Sequence, residues 1–260
     1  MQTRKDFLLS IIRDIGAFQM QYFWKEITFE TKQNDMDFVS FVDIESQKMF
    51  TRKVQEFFPN DTVMGEEDYD SAKDYSKEEH LWIIDPVDGT LLYKRGIPLF
   101  GIMIAYVHNG HIELSAILLP ALNELYYADT NGAYKNDARI SVSNTQELSS
   151  AIIQVSNYSL HNFFTNAEMF RGFSQKIGMS FDSYAGAYAL TACASWKIDW
   201  GAFYPNYAGI WDTIPGGFLL QQAWWHVSTI GQNNWNIWNK NIIFSNGVIH
   251  HDLQEALKSN

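Results

Sequence analysis

The sequence predicts a mixed α/β (α+β) fold, and three stretches of its apolar pattern predict this class. Near the N-terminus, apolar residues recur at the spacing of an amphipathic helix. Between residues 99 and 140, short apolar runs are separated by turn signals, as in an antiparallel sheet. After about residue 148, strand-like and helix-like segments alternate.

The first part of the chain is predicted to hold two helices with a strand between them. Residues 3 to about 25 form one amphipathic helix, whose apolar face begins at Leu8. Residues 38–42 are strand-like and lead to Asp43, which could cap the second helix. Pro59 ends that second helix.

The later elements are predicted from turn signals and from alternation. Asn109-Gly110 is the strongest short hairpin signal, so residues 102–107 and 112–119 are expected to pair as antiparallel strands. The other predicted strands are 125–128, 151–155, 200–204 and 242–244, and the other predicted helices are 162–176 and 186–196.

The length of 260 residues is enough for one large domain or for two small lobes with a substantial core. The change of rhythm places a lobe boundary near residue 145. We therefore expect an N-terminal α+β lobe, 1–145, and a C-terminal α/β lobe, 146–260.

The composition excludes several classes of protein. Apolar residues make up 46% and charged residues 19% of the chain, which excludes a disordered protein. The net charge of −11 argues against a nucleic-acid partner, because affinity for phosphate backbones comes mainly from Lys and Arg. The single cysteine, Cys193, excludes a disulfide framework and Cys-rich zinc sites. With no signal-peptide-like or membrane-spanning segment, a cytoplasmic protein without a membrane partner is expected.

The nine residues 82–90 carry the strongest chemical signal. An apolar run delivers Asp85 and Asp88, three positions apart, to the place where a strand would end. Gly89 and Thr90 then offer backbone N–H groups at a tight turn. Carboxylates beside such amides would repel a phosphate unless a cation lay between them, so the motif predicts a metal-bridged phosphate site.

Further acidic residues could belong to the same site. Glu66 and Glu67 lie one predicted loop earlier, and Asp212 resembles the N-cap of a helix. Each is a weak signal alone, because adjacent glutamates usually form a solvated face and a capping aspartate needs no other role. The cluster has no His or Cys, which favours Mg²⁺ over zinc. Its aspartates are all needed as ligands, so direct attack by metal-bound water is simpler than a phosphoenzyme.

Four blocks of the sequence resemble the inositol monophosphatase family, a superfamily of metal-dependent, lithium-sensitive phosphatases. In the family's order and spacing, the blocks are 37–43, Gly65-Glu66-Glu67, 82–90, and Trp211-Asp212 followed by Gly216-Gly217. Lys32 also matches a recurrent family position. The resemblance implies a layered α-β-α-β-α sandwich of the inositol monophosphatase or sugar phosphatase type, a homodimer, and inhibition by lithium.

The resemblance also implies which residues bind two or three Mg²⁺ ions, for which Mn²⁺ would be a substitute. Glu67 would ligate the first ion together with Asp85 and the backbone carbonyl of Val87. Asp85, Asp88 and Asp212 would hold the second ion, and Glu67 would serve a weaker third ion through water. The N-terminal lobe would thus carry the metal-binding motifs, and Asp212 of the C-terminal lobe would complete the active site.

Catalysis and phosphate binding are assigned by the same resemblance. Thr90 and Asp43 would orient and deprotonate the attacking water, with Glu67 as a third catalytic residue. Asp88 and the amides of Gly89 and Thr90 would hold the substrate phosphate.

The sequence departs from the family where the family recognises the alcohol portion of its substrate. Inositol-specific members usually carry a carboxylate at the position of Pro205, which can neither accept a hydroxyl proton nor carry charge. A Gly-Ser-Ala-Ala-like segment appears as Gly186-Ala187-Tyr188, with a large ring where alanine is common. These four residues form the predicted specificity region.

The predicted function is a Mg²⁺-dependent phosphomonoesterase that hydrolyses a small sugar-, polyol- or inositol-type phosphate by metal-activated water. The alternative is a nucleotide-directed phosphatase of the 3′-phosphoadenosine phosphate or NADP type, since aromatic residues of the C-terminal half could stack on a base. A further alternative is a catalytically silent binding protein that kept the fold.

Overall fold

The computed structural model describes residues 3–32, 37–155, 179–181, 185–203, 209–229, 232–240 and 242–251. Five α-helices lie within these ranges: α1 (Arg4–Met20), α2 (Phe41–Phe57), α3 (Thr90–Lys94), α4 (Gly186–Ala194) and α5 (Ile210–Gln222). Single 3₁₀ turns occur at Tyr75–Lys77, Pro120–Leu122 and Leu148–Ser150. None of the described helices combines the length and the apolar character needed to cross a bilayer.

A short ribbon and a seven-stranded sheet come from the first part of the chain. The ribbon pairs β1 (Phe29–Thr31) with β2 (Phe38–Ser40). The sheet follows chain order: β3 (Thr62–Gly65), β4 (His80–Asp88), β5 (Gly101–His108), β6 (His111–Leu119), β7 (Glu124–Asp129), β8 (Gly132–Lys135) and β9 (Ala138–Arg139). Its pairs are antiparallel except β3 with β4. The predicted hairpin is confirmed, since Asn109 and Gly110 turn with φ angles of 49° and 77° between β5 and β6.

A five-stranded sheet comes from the later part of the chain. Its strands are β10 (Ile152–Val155), β11 (Met179–Phe181), β12 (Trp200–Phe203), β13 (His226–Ser228) and β14 (Ile242–Ser245). Their order is β11-β10-β12-β14-β13, and β10 runs parallel to both of its neighbours. Tyr204, the last residue of the predicted strand 200–204, lies outside the described residues. The division into two lobes at residue 145 stays a prediction.

The two faces of the larger sheet are covered by different helices. On one face, α1 and α2 pack around Trp82, with Phe50 of α2 beside it. On the other face, α4 and α5 pack between the two sheets, with Leu219 of α5 in one apolar cluster with Phe244 of the smaller sheet. This order of layers confirms the predicted layered sandwich over the described residues, and the helix predicted at 162–176 lies outside them.

Alternation along β4 decides which helices each of its side chains meets. Trp82 and Ile84 belong to the apolar cluster of α1 and α2. Leu81 and Ile83 belong to the cluster that includes residues of α5. Because neighbouring side chains of a strand point to opposite faces, Asp85 is next on the α5 face.

The helix predicted at 186–196 ends at Ala194. Two other predicted boundaries were also wrong. The first helix ends at Met20 rather than near residue 25, because the following chain turns so that Phe23 is buried in the core. The strand predicted at 38–42 ends at Ser40, because Ser40 and Asp43 form a capping box that starts α2. Tertiary packing and capping override the local apolar run in both places.

Candidate active site

Asp85 and Asp88 lie at the end of β4, where regular strand pairing breaks. The ladder with β5 shifts register between the two residues, as in a β-bulge. Pro86 lies inside this irregularity, where a residue without an N–H is tolerated, and its carbonyl accepts a hydrogen bond from Gln19 Nε2 at 2.7 Å. The Val87 N–H donates to Asp85 Oδ1 at 3.0 Å. These bonds hold the turn that presents both carboxylates.

Asp212 joins these carboxylates from the first turn of α5. Its Oδ2 atom accepts a hydrogen bond from the Gly209 N–H and so caps the helix. One ligand atom from each of Asp85, Asp88 and Asp212 lies within 4.8 Å of the other two. Gly209, not Asp212, is the N-cap, so the predicted position of Asp212 was wrong; as the third residue of α5 it contributes both to the capping box and to the acidic cluster.

The acidic cluster opposes the ionisation of its own carboxyl groups. Burial and neighbouring carboxylates hold the pKa of Asp85 and the pKa of Asp212 well above the ordinary value. Burial raises the pKa of Asp88 to about 6, although hydrogen bonds from the N–H groups of Ala187 and Gly186 oppose this shift. The cluster fits a divalent cation, because such an ion prefers oxygen ligands and would offset their repulsion.

Glu66 lies beside the acidic cluster, and the sequence pattern alone did not distinguish it from Glu67. Parallel pairing of β3 with β4 places Gly65 opposite Ile84, and the Glu66 N–H donates to the Ile84 carbonyl at 3.2 Å. The next pair along the same register brings the Glu66 carboxyl within hydrogen-bonding reach of the Asp85 carboxyl. The signal that could have identified Glu66 is this register, because it continues from the pair of Gly65 with Ile84 and places Glu66 beside Asp85.

Glu67, the predicted ligand of the first ion, lies beside Lys32. The Lys32 Nζ atom forms ion pairs with Glu66 Oε1 at 2.8 Å and with Glu67 Oε1 at 2.7 Å. The Glu67 N–H donates to Gln47 Oε1 at 3.0 Å. Burial raises the pKa of Glu67 to about 7, with Glu66 adding to the shift and Lys32 opposing it. Metal ligation by Glu67 stays a prediction.

Thr90 and Asp43 are hydrogen-bonded to each other. Thr90 Oγ1 lies 3.1 Å from Asp43 Oδ1 and 3.0 Å from the Val87 carbonyl oxygen, and its one proton can be donated to either acceptor. Asp43 Oδ2 accepts bonds from the Ser40 N–H and hydroxyl at 2.9 and 2.6 Å. Burial raises the pKa of Asp43, although the Ser40 bonds oppose the shift. The capping box thus fixes the carboxylate and turns Oδ1 toward Thr90.

Gly89 and Thr90 form the start of α3. Gly89 has a φ angle of 85°, and a Cβ at this position would lie 2.9 Å from the Ala185 Cβ, so glycine is required for both reasons. The Gly89 carbonyl accepts the first helical bonds, from the N–H groups of Leu92 and Tyr93 at 2.8 and 3.0 Å. The N–H groups of Gly89 and Thr90 precede these bonds, where a helix leaves its amides without intrahelical partners.

The predicted specificity region meets the acidic cluster through α4. The Ala187 N–H donates to Asp88 Oδ2 at 2.6 Å, and the Gly186 N–H also bonds to this carboxylate. These two amides therefore position Asp88. Tyr188 is half-buried and packs against the apolar cluster between the two sheets. Pro205 lies outside the described residues.

The whole chain, residues 1–260, matches the model of the inositol monophosphatase family. A relative from Thermotoga maritima, named fructose-1,6-bisphosphatase/inositol-1-monophosphatase, is 31% identical over 259 residues, which cover 98% of this chain and 95% of the relative. The solved structure of a Thermotoga maritima IMPase has a TM-score of 0.87 at 29% identity and covers 98% of this chain and 96% of its own. An IMPase/NADP phosphatase complexed with NADP and Ca²⁺ has a TM-score of 0.89 at 22% identity, covering 100% of this chain and 98% of its own, and shares the fold.

The family match confirms the resemblance that the four sequence blocks predicted. The converging carboxylates are in keeping with an enzyme that depends on a divalent cation. The chain belongs to the inositol monophosphatase family and is a phosphoric monoester hydrolase.

Proposed function

We propose that this protein is a Mg²⁺-dependent phosphomonoesterase that acts on a small sugar-, polyol- or inositol-type phosphate. The observation that carries the proposal is that one ligand atom from each of Asp85, Asp88 and Asp212 lies within 4.8 Å of the other two. Thr90, which is hydrogen-bonded to Asp43, follows Asp88 by two residues. The Thermotoga maritima relative is named as a phosphatase of a sugar bisphosphate and of an inositol monophosphate, and this name supports the proposed substrate class.

The acidic cluster would hold two or three Mg²⁺ ions, with Mn²⁺ as a substitute. The ligands would be the carboxylates of Glu66, Glu67, Asp85, Asp88 and Asp212 and the carbonyl oxygen of Val87. Because all of these ligand atoms are oxygens, the set favours Mg²⁺ over zinc. When bound, the ions neutralise phosphate charge and make a coordinated water more acidic.

Thr90 and Asp43 would move the proton of the attacking water. Asp43 Oδ1 can accept the Thr90 hydroxyl proton across the 3.1 Å bond. The Thr90 oxygen can then accept a hydrogen bond from the water and orient it. The raised pKa of Asp43, which results from burial, makes this carboxylate a better proton acceptor than an exposed one.

The start of α3 would bind the substrate phosphate. The N–H groups of Gly89 and Thr90 would donate to phosphate oxygens, as amides at tight turns and helix starts commonly do. Asp88 would lie near the phosphate only with a cation between them, because both groups are anionic. The α4 amides that hold Asp88 keep its carboxylate in place for this arrangement.

A phosphate-release panel tests the proposal and its alternative. The panel compares sugar, polyol and inositol monophosphates with 3′-phosphoadenosine phosphate and NADP, in Mg²⁺ and in EDTA. We expect kcat/KM to be highest for a sugar or polyol ester and activity to vanish in EDTA. Faster release from the nucleotides would establish the nucleotide-directed alternative. No release from any ester by a metal-loaded protein would favour the silent binding protein.

Three further expectations belong to the same proposal. The resemblance predicts a homodimer, which analytical ultracentrifugation would detect as twice the chain mass. It also predicts inhibition by LiCl at fixed Mg²⁺. The sequence predicts a cytoplasmic location, which cell fractionation would test.

A further inference from the structure

A second cluster of metal-ligand side chains lies at the opposite end of β4 from the acidic site. It consists of Glu79, His80 and His108, whose ligand atoms lie within 4.8 Å of one another. His80 is the first residue of β4 and Asp85 is the sixth. At about 3.3 Å per residue, the two positions are about 16 Å apart along the strand. This cluster is therefore separate from the candidate active site.

The register of β4 and β5 creates the cluster. His80 and His108 lie directly opposite each other on antiparallel strands, so their side chains share one face of the sheet. Their rings are stacked, with centroids 4.7 Å apart and an interplanar angle of 14°. Glu79, immediately before β4, places its Oε1 atom 3.7 Å from His80 Nε2. Two imidazoles and a carboxylate thus lie together at this end of β4 and β5, and small ring rotations would turn both Nε2 lone pairs toward one ion.

Each imidazole is oriented through its Nδ1 atom. His108 Nδ1 lies 2.9 Å from Glu113 Oε1. An ionised carboxylate can only accept, so Nδ1 carries the proton and Nε2 carries the lone pair in the neutral ring. His80 Nδ1 lies 2.7 Å from the Tyr106 hydroxyl, whose oxygen can accept from it in the same way. Histidines that ligate metals usually donate their other N–H to such a partner.

The cluster is open enough for an ion to enter. The side chains of His80 and His108 are 26% and 34% exposed, so water can reach both rings. The group that now lies 3.0 Å from His108 Nε2 is the side-chain amide of Asn109, which is exposed and can be displaced by a cation.

We propose that Glu79, His80 and His108 form a second metal site, which binds a transition-metal ion of the Zn²⁺ type. Imidazole nitrogens suit Zn²⁺ and related ions, whereas Mg²⁺ prefers oxygen ligands. Three protein ligands with water in a fourth position is an established zinc geometry. The bound ion ties the start of β4 to the end of β5, next to the turn at Asn109 and Gly110.

Zn²⁺ titration calorimetry on the full chain tests the site, with saturating Mg²⁺ present to occupy the acidic cluster. We expect one Zn²⁺ per chain for the wild type and for Asp212→Asn. His108→Ala should weaken Zn²⁺ binding by roughly 10-fold or more, and Glu113→Gln by roughly 10- to 100-fold, since it removes the orienting carboxylate. His111→Ala is the matched control, because this exposed histidine of β6 lies outside the cluster.

Cu²⁺ as a probe gives a second readout that does not depend on activity. The electron paramagnetic resonance spectrum of the wild type with one Cu²⁺ per chain should show coupling to two imidazole nitrogens. His108→Ala should leave coupling to one. Unchanged Zn²⁺ affinity in His108→Ala, loss of binding in Asp212→Asn, or equal loss in His111→Ala would each overturn the assignment.

Discussion

At the residue scale, helix caps supply two of the carboxylates of the site. Asp212 caps α5 through the Gly209 N–H while it joins the acidic cluster. Asp43 of α2 likewise has two roles: its Oδ2 atom completes the capping box, and its Oδ1 atom is hydrogen-bonded to Thr90. A carboxylate that caps a helix is held by backbone N–H groups, so its second oxygen is presented in a fixed direction.

Replacing Thr90 by alanine should slow the chemical step without weakening metal binding. The change removes the hydroxyl between the attacking water and Asp43, and a positioned proton-transfer group contributes typically about 10²- to 10⁴-fold in rate. We expect kcat at saturating Mg²⁺ to fall by that order, while the Mg²⁺ concentration for half-maximal activity stays the same. Thr90→Ser keeps the hydroxyl and is the control. Equal kcat values for the two variants would contradict the role of Thr90.

Glu66→Gln and Glu67→Gln form a matched pair of substitutions on neighbouring residues. Both carboxylates pair with Lys32, but the Glu66 carboxyl also lies within hydrogen-bonding reach of Asp85. We therefore expect Glu66→Gln to raise the Mg²⁺ requirement for activity more than Glu67→Gln does. The measurement is a Mg²⁺ titration of kcat for both variants. A larger effect of Glu67→Gln would support the assignment made from the family resemblance.

At the element scale, the contact between α2 and the end of β3 depends on Gly65. A Cβ at Gly65 would lie 2.1 Å from Gln47 Oε1, the atom that accepts the bond from the Glu67 N–H. Gln47 is buried, so it has little room to move aside. The absence of a side chain at Gly65 is therefore what lets α2 hold the glutamate turn against β4.

Gly65→Ala should lower both stability and activity. Displacement of Gln47 breaks its bond to the Glu67 N–H, and a buried hydrogen bond is worth about 1 kcal/mol. We expect the free energy of unfolding in urea to fall by at least about that amount, and the Mg²⁺ requirement for activity to rise. In the Gln47→Ala background the steric conflict is gone, so the same glycine change should cost less stability. An equal cost in both backgrounds would contradict this account.

Local signals predicted some elements and failed for others, for physical reasons. The β5–β6 hairpin was predictable because Asn109 and Gly110 fix its turn without help from distant residues. The end of α1 was not, because Phe23 packs against Phe100, far along the chain. The position of Glu66 beside Asp85 could not be predicted for the same reason, since it depends on the register of β3 on β4.

At the scale of the whole molecule, the layered fold brings distant carboxylates to one point. Asp85 and Asp88 come from the end of β4, and Asp212 comes from the helix that packs on that face of the sheet. The contiguous motif of residues 82–90 could be predicted as a site from its own chemistry. Asp212 could be added only through the family resemblance, because its approach to Asp85 is a consequence of packing between layers.

The stability of the metal-free protein should fall as pH rises from about 4 to 7. Burial raises the pKa of Asp88 from 3.8 to about 6, and burial and the neighbouring carboxylates also hold the pKa values of Asp85 and Asp212 well above the ordinary value. The folded chain therefore keeps protons that the unfolded chain releases over this range, and stability decreases where the folded state binds more protons. Mg²⁺ competes with these protons, so its stabilising effect should grow with pH.

Thermal unfolding from pH 5 to 8, in EDTA and in Mg²⁺, measures this linkage. Groups elsewhere in the protein affect Tm equally in both conditions, so their effect cancels when the two Tm values are subtracted. We expect this difference to be larger at pH 8 than at pH 5. A difference that is constant with pH would contradict the linkage between the cluster and the cation.

The central claim is that Asp85, Asp88 and Asp212 together bind the divalent cation on which phosphate ester hydrolysis depends. Mg²⁺ titration calorimetry of the wild type and of Asp212→Asn, with kcat measured on the same samples, tests it most directly. Asp74→Asn is the matched control, since Asp74 caps a 3₁₀ turn away from the cluster. We predict that Asp212→Asn loses most of its Mg²⁺ binding and turnover but stays folded in EDTA, because the side-chain oxygen of asparagine can still accept the hydrogen bond from the Gly209 N–H. Mg²⁺ affinity and kcat like those of the wild type in a folded Asp212→Asn protein would contradict the claim.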